Sequence, residues 1–342
     1  MHTGKRFRLV STLRWSALDW ALPLGWAAVV TTLYVTLDLS WLQIPWLPIS
    51  MVGVAVAFYL GFKNNASYDR TWEARKIWGA IVNASRSWAF SSRDFVTGRW
   101  MEGRTADPRE VLKIRHELVR RHIAWMDALR HQLRKLKSWE HQGRSYDRYR
   151  EFIRPAEYDE DLKEVLAGHL GDEEAAEVMA QINPAAHLLS NQSRRLAELF
   201  DQGYIDDFRH MELQKLLIEL MTQQGKAERI KNFPFPRQYA TVNSYFAALL
   251  VGLIPFGLCR EFSTISPDMP ELVWLAIPFT SIVGWVFLTT SRIGEWSENP
   301  FEGLVNDVPI TSMARGIERD MLQMAGIEEL PPPREMQGVF QM

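Results

Sequence analysis

His116, Glu117 and His122 come closest to a catalytic metal site in this 342-residue chain. A zinc-binding helix places its two histidines four residues apart on one face, whereas these two are six residues apart. The only cysteine, Cys259, excludes an internal disulfide and any site with two thiolate ligands. The eight histidines are scattered, mostly beside arginines, and we interpret them as parts of solvated helix faces. No Walker loop, dinucleotide-binding glycine motif or nucleophile elbow occurs, so we expect neither an enzyme nor a cofactor.

Three apolar residues, Val54, Phe58 and Phe62, indicate a candidate site for ions instead of a catalytic site. They fall at positions i, i+4 and i+8, on one face of a helix. Small residues between them would let neighbouring backbones approach closely: Gly53, Ala55, Ala57 and Gly61. Such a stripe is typical of an ordinary packing face. If identical helices surround an axis, however, the same stripe forms apolar rings that gate ions by dewetting.

Four long gaps between charged residues identify the elements that would carry such a site. They enclose 18, 24, 22 and 20 uncharged residues, at 20–37, 39–62, 238–259 and 272–291. Each gap is mostly apolar, and about 20 helical residues cross a hydrocarbon core of about 30 Å. Four transmembrane helices are the simplest interpretation, since four buried core helices of this kind are hard to explain in a soluble protein of this length.

The remaining charge is concentrated in residues 63–237, which hold 57 of the 80 charged residues. Basic residues without acids precede the first span, and further basic residues follow the second. By the positive-inside rule, both termini and this domain are expected in the cytoplasm, with the spans in the inner (plasma) membrane. The predicted organisation is a cytosolic N-terminal segment (1–18), helices one and two with a pore neck (19–62), a helical cytosolic domain (63–237), helices three and four (238–292) and a cytosolic C-terminal segment (293–342).

The periodicity of the charged domain is helical and shows no alternating strand pattern, so the chain is expected to be all-α. Helix start signals occur at 107–108, 183–184 and 206–207, and an acidic first turn after Gly171 favours another short helix. The tail, residues 331–342, is expected to be loosely ordered or to act as a docking strap. Because the net charge is only −2, binding to nucleic acid is not expected.

Residues 64–75 read N-N-A-S-Y-D-R-T-W-E-A-R, which resembles the signature of bacterial bestrophins. The residues singled out in it are Asn64, Asn65, Asp69, Arg70, Trp72 and Glu73. The sequence E-R-I at 228–230, followed by two prolines before the third span, resembles a second family element. After the fourth span, two stretches resemble the family's N-P-F-G and N-D-L-P motifs, with Asn299, Pro300, Phe301, Asn306, Asp307 and Pro309. These ordered motifs and the four-span layout cover most of residues 20–315.

The resemblance implies a homopentameric ion channel with one pore on a five-fold axis. Val54, Phe58 and Phe62 match the family's hydrophobic neck, because they stand at the family's fixed distance before the signature. The family also has a cytosolic constriction formed by an apolar side chain before the E-R-I element. Counting back to that constriction gives Phe208, with Met211 or Glu212 as alternatives.

The sign of the permeant ion is not fixed by these residues. Phenylalanine ring edges favour an anion, whereas ring faces favour a cation. Eukaryotic members of the family are anion channels and bacterial members include cation-permeable examples, so the resemblance favours chloride and leaves a sodium or potassium channel as an alternative. A membrane-anchored scaffold without ion flux is the other alternative. The expected partners are further copies of the chain, the lipid bilayer and small inorganic ions.

Calcium-activated members of the family coordinate the ion with an acidic cluster after N-P-F-G. In this chain Leu304 occupies a position that is acidic there, and Trp296 replaces a polar ligand. Asn299 and Asp307 remain as candidate ligands, whereas calcium takes six to eight oxygens. We therefore expect gating independent of cytosolic calcium and a structural role for this motif.

Other signature residues have two interpretations. Asp69 and Glu73, at i and i+4, are expected either to form ion pairs between subunits or to lie on a solvated helix face. Asn64, Asn65 and Ser67 are expected to line a vestibule below the neck, where their dipoles meet ions of either sign.

Overall fold

The computed structural model describes residues 1–103, 105–141, 146, 154–265 and 267–342. Helices dominate this part of the chain, and its only β pairings are isolated bridges of Phe340 with His2 and Gln337. The α-helices are α1 (Leu9–Trp15), α2 (Ala17–Thr36), α3 (Trp46–Phe95), α4 (Pro108–Arg134), α5 (Leu162–Leu170), α6 (Asp172–Met179), α7 (Pro184–Asp201), α8 (Asp207–Asn232), α9 (Arg237–Ile265), α10 (Ala276–Glu295) and α11 (Ile310–Met324). The all-α prediction is confirmed.

Four of these helices are long and apolar enough to cross a membrane. They are α2, the first part of α3, α9, and α10 together with the 3₁₀ turn Pro270–Leu275 before it. Each of the four gaps between charges in the sequence overlaps one of these elements. The predicted four-helix membrane part is therefore present, and the second span continues far beyond its apolar run as a helix of 50 residues.

The chain divides into two compact units. The membrane unit comprises residues 4–70 and 235–298, and the helical unit comprises residues 1–3, 71–234 and 299–342. The division falls inside α3, close to the predicted start of the cytosolic domain at residue 63. The five-part organisation predicted from charge remains a prediction.

Glycines allow close helix crossings inside the membrane unit. A Cβ atom at Gly257 in α9 would lie 2.6 Å from Ile49 Cδ1, and one at Gly284 in α10 would lie 2.7 Å from the Pro23 ring. Small residues at such crossings are typical of membrane helices, which associate through close packing. A Cβ atom at Gly61, next to Phe62 of the apolar stripe, would meet no neighbour within 4 Å among the described residues, so the small size of Gly61 serves no packing contact there.

An ion pair and two hydrogen bonds hold the start of α2 against α10. Arg292 Nη2 donates to Asp19 Oδ1 at 2.6 Å, and Thr289 donates to the other carboxylate oxygen at 3.3 Å. Trp285 Nε1 donates to Ser16 Oγ at 2.8 Å. Polar groups at membrane depth are costly unless they are paired, and this cluster pairs the carboxylate of a buried Asp19.

The helical unit begins three of its helices where the sequence predicted. The side chains of Asp107, Asn183 and Asp206 accept hydrogen bonds from backbone N–H groups in the first turns of α4, α7 and α8. Asp172 opens α6 with an acidic first turn, as expected. The core of this unit contains the fully buried tryptophans Trp78, Trp88 and Trp125.

The interpretation of the histidines as solvated is wrong for His122. This ring is 1% exposed and lies between Trp88 and Trp125, with Nε2 2.9 Å from Ser85 Oγ. Burial lowers the pKa of His122 to about 3, so the ring is neutral at physiological pH. The prediction was based on the arginines next to His122 in the sequence. Successive residues of a helix point in different directions, so exposed arginines do not imply an exposed neighbour.

Arg130 is the centre of a buried ion-pair cluster in the helical unit. Its guanidinium contacts Asp127 at 2.7 Å, Glu157 at 2.9 Å and Glu160 at 2.7 Å. Glu160 also pairs with Arg334 from the C-terminal tail. Thus one guanidinium joins α4 to the segment before α5, and a second one ties the tail to the same carboxylate.

The C-terminal tail is bound to its own helical unit. The backbone N–H of Thr3 donates to Val339 O at 2.9 Å, and that of Gln341 donates to Met1 O at 2.9 Å. The backbone N–H of Ser312, in α11, donates to Met342 O at 2.5 Å. Residues 331–342 were predicted to be either loosely ordered or a docking strap. These hydrogen bonds agree with a strap.

Candidate functional site

The first half of α3 has one face packed inside the membrane unit and the opposite face open. Ile49, Val56 and Leu60 are buried and pack against Leu250 and Ile254 of α9. Lys63 and Ser67 continue the same buried face. At about 100° per residue, these five positions of α3 lie within about 60° of one another around the helix axis.

Val54, Phe58 and Phe62 lie on the open face. Their exposed fractions are 58%, 67% and 65%, and they are centred about 180° from the buried face. The stripe therefore does not pack against the described part of its own chain, which argues against the simplest form of the packing interpretation. An apolar face of this kind meets lipid, another subunit or a pore.

A buried ion pair lies directly after the stripe. The ammonium of Lys63 is 3.3 Å from Glu298 Oε1, and both side chains are almost completely buried in the membrane unit. The sequence prediction missed this pair, although a lysine immediately after a long apolar run was a visible signal. The pair fixes the end of the open stripe to the segment that follows α10.

The expectation that Ser67 lines a vestibule is wrong, and Asn64 is partly buried against α10. Asn64 Nδ2 donates to Thr290 O at 3.1 Å, and the Asn64 side chain occupies the space that a Cβ atom at Gly294 would need. Ser67 is fully buried. Asn65 is exposed, so it alone of these three polar residues is open to solvent in the chain.

Glu73 forms an ion pair within its own helix. Its carboxylate accepts from Lys76 Nζ at 2.7 Å, and this hydrogen bond lowers the pKa of Glu73. The pair is largely exposed, as on a solvated helix face, and Asp69 one turn earlier is also exposed. Trp72 is 47% exposed. Arg70 is partly buried in the membrane unit.

The C-terminal motif is a buried hydrogen-bonded turn before α11. Asn299 Nδ2 donates to Glu302 Oε2 at 3.1 Å, and His141 Nδ1 lies 2.8 Å from the same oxygen. Pro300 and Phe301 are buried, and Pro309 immediately precedes α11. Asn306 is exposed. The motif therefore joins the segment before α11 to the loop after α4.

Asp307 is a second buried carboxylate of this turn, beside Glu302. Arg134 Nη1 donates to Asp307 Oδ2 at 2.5 Å, the backbone N–H of Gly303 donates to the same oxygen, and that of Val308 donates to Oδ1 at 2.6 Å. Burial raises the pKa of Asp307 to about 6, and the guanidinium and the N–H groups oppose that rise. Both carboxylate oxygens already have donors, so a guanidinium occupies the place that a cation would need.

The structure places Phe208 in the first turn of α8, with 82% of its surface exposed. Met211, one turn later, is also exposed, and so is Glu212, which pairs with Lys215 at 2.7 Å. An unpacked phenylalanine at a helix start fits a side chain that projects toward another copy or a pore. Phe208, Met211 and Glu212 are all exposed, so each remains a candidate for the lower constriction.

A family model described as bacterial/fungal bestrophin protein matches residues 8–323. The chain is 29% identical over 284 residues to the voltage-dependent anion channel-forming protein YneE of Escherichia coli strain K12, covering 83% of this chain and 78% of that protein. It is 27% identical over 325 residues to the voltage-dependent anion channel-forming protein RSc3414 of Ralstonia nicotianae, covering 94% and 92%. A crystal structure of a bacterial bestrophin homologue from Klebsiella pneumoniae, obtained by zinc phasing, superposes with a TM-score of 0.69 at 24% identity, covering 94% of this chain and all of that chain.

The buried pair below the stripe yields a stability prediction. Lys63→Met leaves the Glu298 carboxylate buried without its cation, which should cost about 3–5 kcal/mol. Lys63→Met combined with Glu298→Gln should recover most of this loss, because no unpaired charge remains. Thermal unfolding in detergent measures both, with exposed Lys215→Met as the control. Equal destabilisation by the single and the double variant would contradict a role for the ion pair.

Proposed function

The chain belongs to the bacterial and fungal bestrophin family, and on that premise we propose that it is an anion-conducting membrane channel. Its relatives from Escherichia coli and Ralstonia nicotianae bear the name voltage-dependent anion channel-forming protein. The observation that carries the proposal is the open stripe of Val54, Phe58 and Phe62, opposite the face by which α3 packs in its own chain. An apolar stripe held on a rigid helix is the element that a dewetting gate requires.

The channel is a homo-oligomer in this proposal, and five copies are inferred from the family. One chain presents the stripe on an open face, so a pore lined by it needs further copies arranged about an axis. Closed cyclic symmetry would place the three residues of each copy in three apolar rings. Narrow apolar rings exclude hydrated ions of either sign, so the neck acts as a gate and not as the main selectivity filter.

The names of the relatives support conduction of anions. The partial positive charge at the edge of a phenylalanine ring is compatible with it. Rings at 58 and 62 that turn their edges inward present partial positive charge to an anion. Lys63 adds no net charge beneath them, because Glu298 neutralises it. The anion preference in the neck therefore depends on ring orientation.

We place the protein in the inner membrane with both termini in the cytoplasm. The N-terminal segment before the first span carries Lys5, Arg6, Arg8 and Arg14 and no acid. The short loops on the other side, around 38–46 and 260–271, are poor in cations. The excess of basic residues beside the first span supports this orientation.

Gating without calcium is also part of the proposal. The Asp307 carboxylate receives Arg134 and two backbone N–H groups, and Asn299 donates its amide to Glu302. A calcium ion would have to displace a guanidinium from a fully buried carboxylate. The motif then has a structural role, and Phe208 is the candidate for the second, cytosolic constriction.

The reversal potential tests the proposed function first. Purified protein in planar bilayers under a potassium chloride gradient should conduct with a reversal near the chloride equilibrium potential. A reversal near the potassium potential would replace the anion channel by a cation channel of the same fold. Oligomers that carry no current would favour the scaffold without ion flux.

The stripe is tested by shortening its side chains. Phe58→Ala, alone and with Val54→Ala and Phe62→Ala, should raise the open conductance or the leak current severalfold, because a wider and less apolar ring dewets less readily. Val56→Ala and Leu60→Ala, on the buried face of the same helix, are matched controls. They should lower thermal stability through cavities and leave conductance per channel unchanged. A stripe that serves assembly alone would show the reverse, with fewer oligomers and unchanged conductance.

Calcium provides a further test. Current through the wild type should stay the same when cytosolic calcium is raised from nanomolar to micromolar levels. Asp307→Ala should reduce the yield of folded protein, because Arg134 is then buried without its carboxylate. A steep micromolar calcium dependence that disappears in Asp307→Ala would refute the structural role of this residue.

A further inference from the structure

The short helix α1 has an apolar side that nothing in the described chain covers. Leu9, Val10 and Leu13 are exposed, and at about 100° per residue they span an arc of about 100° around the helix. Trp15 points to the opposite side, about 170° from the middle of the arc. Its ring packs edge-on against Trp296 at 5.4 Å between centroids, with the Arg292 guanidinium 5.8 Å from its centre. The contacts of Trp15 therefore fix the arc outward from the membrane unit.

Four cations flank this arc. Lys5, Arg6 and Arg8 precede α1, and Arg14 lies about 40° beyond the edge of the arc. All four are exposed, and none forms an ion pair with a carboxylate in the described part of the chain. A side chain of this length extends its charge several ångströms from an apolar surface, as expected at a membrane interface.

The helix continues almost directly into a membrane span. α1 ends at Trp15, Ser16 turns the chain, and α2 begins at Ala17. Trp20, at the end of the first turn of α2, is partly exposed and donates its indole N–H to Leu13 O at 3.3 Å. Tryptophan with an apolar body and a bonded N–H is typical of the boundary between hydrocarbon and headgroups. The arc and its cations thus lie at the depth where headgroups are found.

We propose that residues 5–15 form a docking surface for anionic phospholipids, with Leu9, Val10 and Leu13 in the acyl-chain boundary and the four cations on the headgroup phosphates. Because α1 leads directly into the predicted span α2, it lies next to the bilayer. Its four cations would attract anionic lipids in preference to neutral ones. This inference rests on the membrane spans and not on ion conduction, so its failure and that of the channel proposal are distinguishable.

The test places a fluorophore on the arc. Cys259 is buried, so Val10→Cys in the otherwise native chain offers one reactive thiol, and the unlabelled wild type verifies this. Labelled protein is reconstituted in mixed phosphatidylcholine and phosphatidylglycerol vesicles, with either lipid brominated in its acyl chain at the same mole fraction. Bromolipids should quench the label at position 10 and leave one at Glu110→Cys, on the exposed start of α4, unchanged.

Brominated phosphatidylglycerol should quench the label at position 10 more strongly, with an apparent preference of about fivefold for each cation that faces a headgroup. The fourfold variant with Lys5→Gln, Arg6→Gln, Arg8→Gln and Arg14→Gln should lose this preference, so that both brominated lipids quench equally. The matched control changes four exposed cations of the helical unit, Arg109→Gln, Lys113→Gln, Arg120→Gln, Lys163→Gln, and should keep the preference. In labelled Val10→Cys with the four cations intact, high salt should reduce the preference for brominated phosphatidylglycerol, and this measurement tests the charges even if the fourfold variant misfolds.

Three results would overturn the proposal. Equal quenching by both brominated lipids in labelled Val10→Cys with its four cations intact would show that the cations select no anionic lipid. Quenching at position 10 as weak as at position 110 would show that the arc faces water. Shielding of the label from lipid together with self-quenching between labels in one oligomer would show that a second copy of the chain covers the arc.

Discussion

The packing of α3 along one narrow face is the constraint on which the proposed site depends. Ile49, Val56 and Leu60 are buried against α9, and the next buried position on that face is Lys63, whose charge is paired with Glu298. Rotation of the helix about its axis would expose an ammonium group and remove it from its carboxylate, at a cost of several kcal/mol. The orientation of the opposite face, with Val54, Phe58 and Phe62, is thereby fixed. A gate needs this rigidity, because its side chains must stay in register in every copy.

The sequence was sufficient to predict the four spans, the helix starts and the apolar stripe. Each of these rests on a local signal: a charge-free run, a capping residue or a spacing of four residues. The partners Glu298 of Lys63, Thr290 of Asn64 and Arg134 of Asp307 could not be predicted, because each lies more than 170 residues away along the chain. The burial of His122 was missed for a related reason, since Trp88, which stacks on its ring, comes from another helix, α3.

Buried charges are handled in the same way in both units. Asp19 with Arg292 and Lys63 with Glu298 lie in the membrane unit, and Arg134 with Asp307 lies in the helical unit. Each pair joins segments that are distant in sequence, so each adds a specific contact to packing that is otherwise apolar. Replacing both partners of such a pair by apolar residues is often neutral for stability, whereas removing one partner of a buried pair is strongly destabilising.

The cluster around Arg130 has a consequence for how this sequence can change over evolutionary time. Glu160 forms ion pairs with both Arg130 in α4 and Arg334 in the tail. Two distant parts of the chain therefore depend on the negative charge at position 160. Losing Arg334 would remove one of the two guanidinium groups that contact Glu160, and losing Glu160 would leave Arg334 without its acid. Substitutions at 160 and 334 are therefore expected to occur together among related sequences, and a lineage that discards the tail should also neutralise position 160.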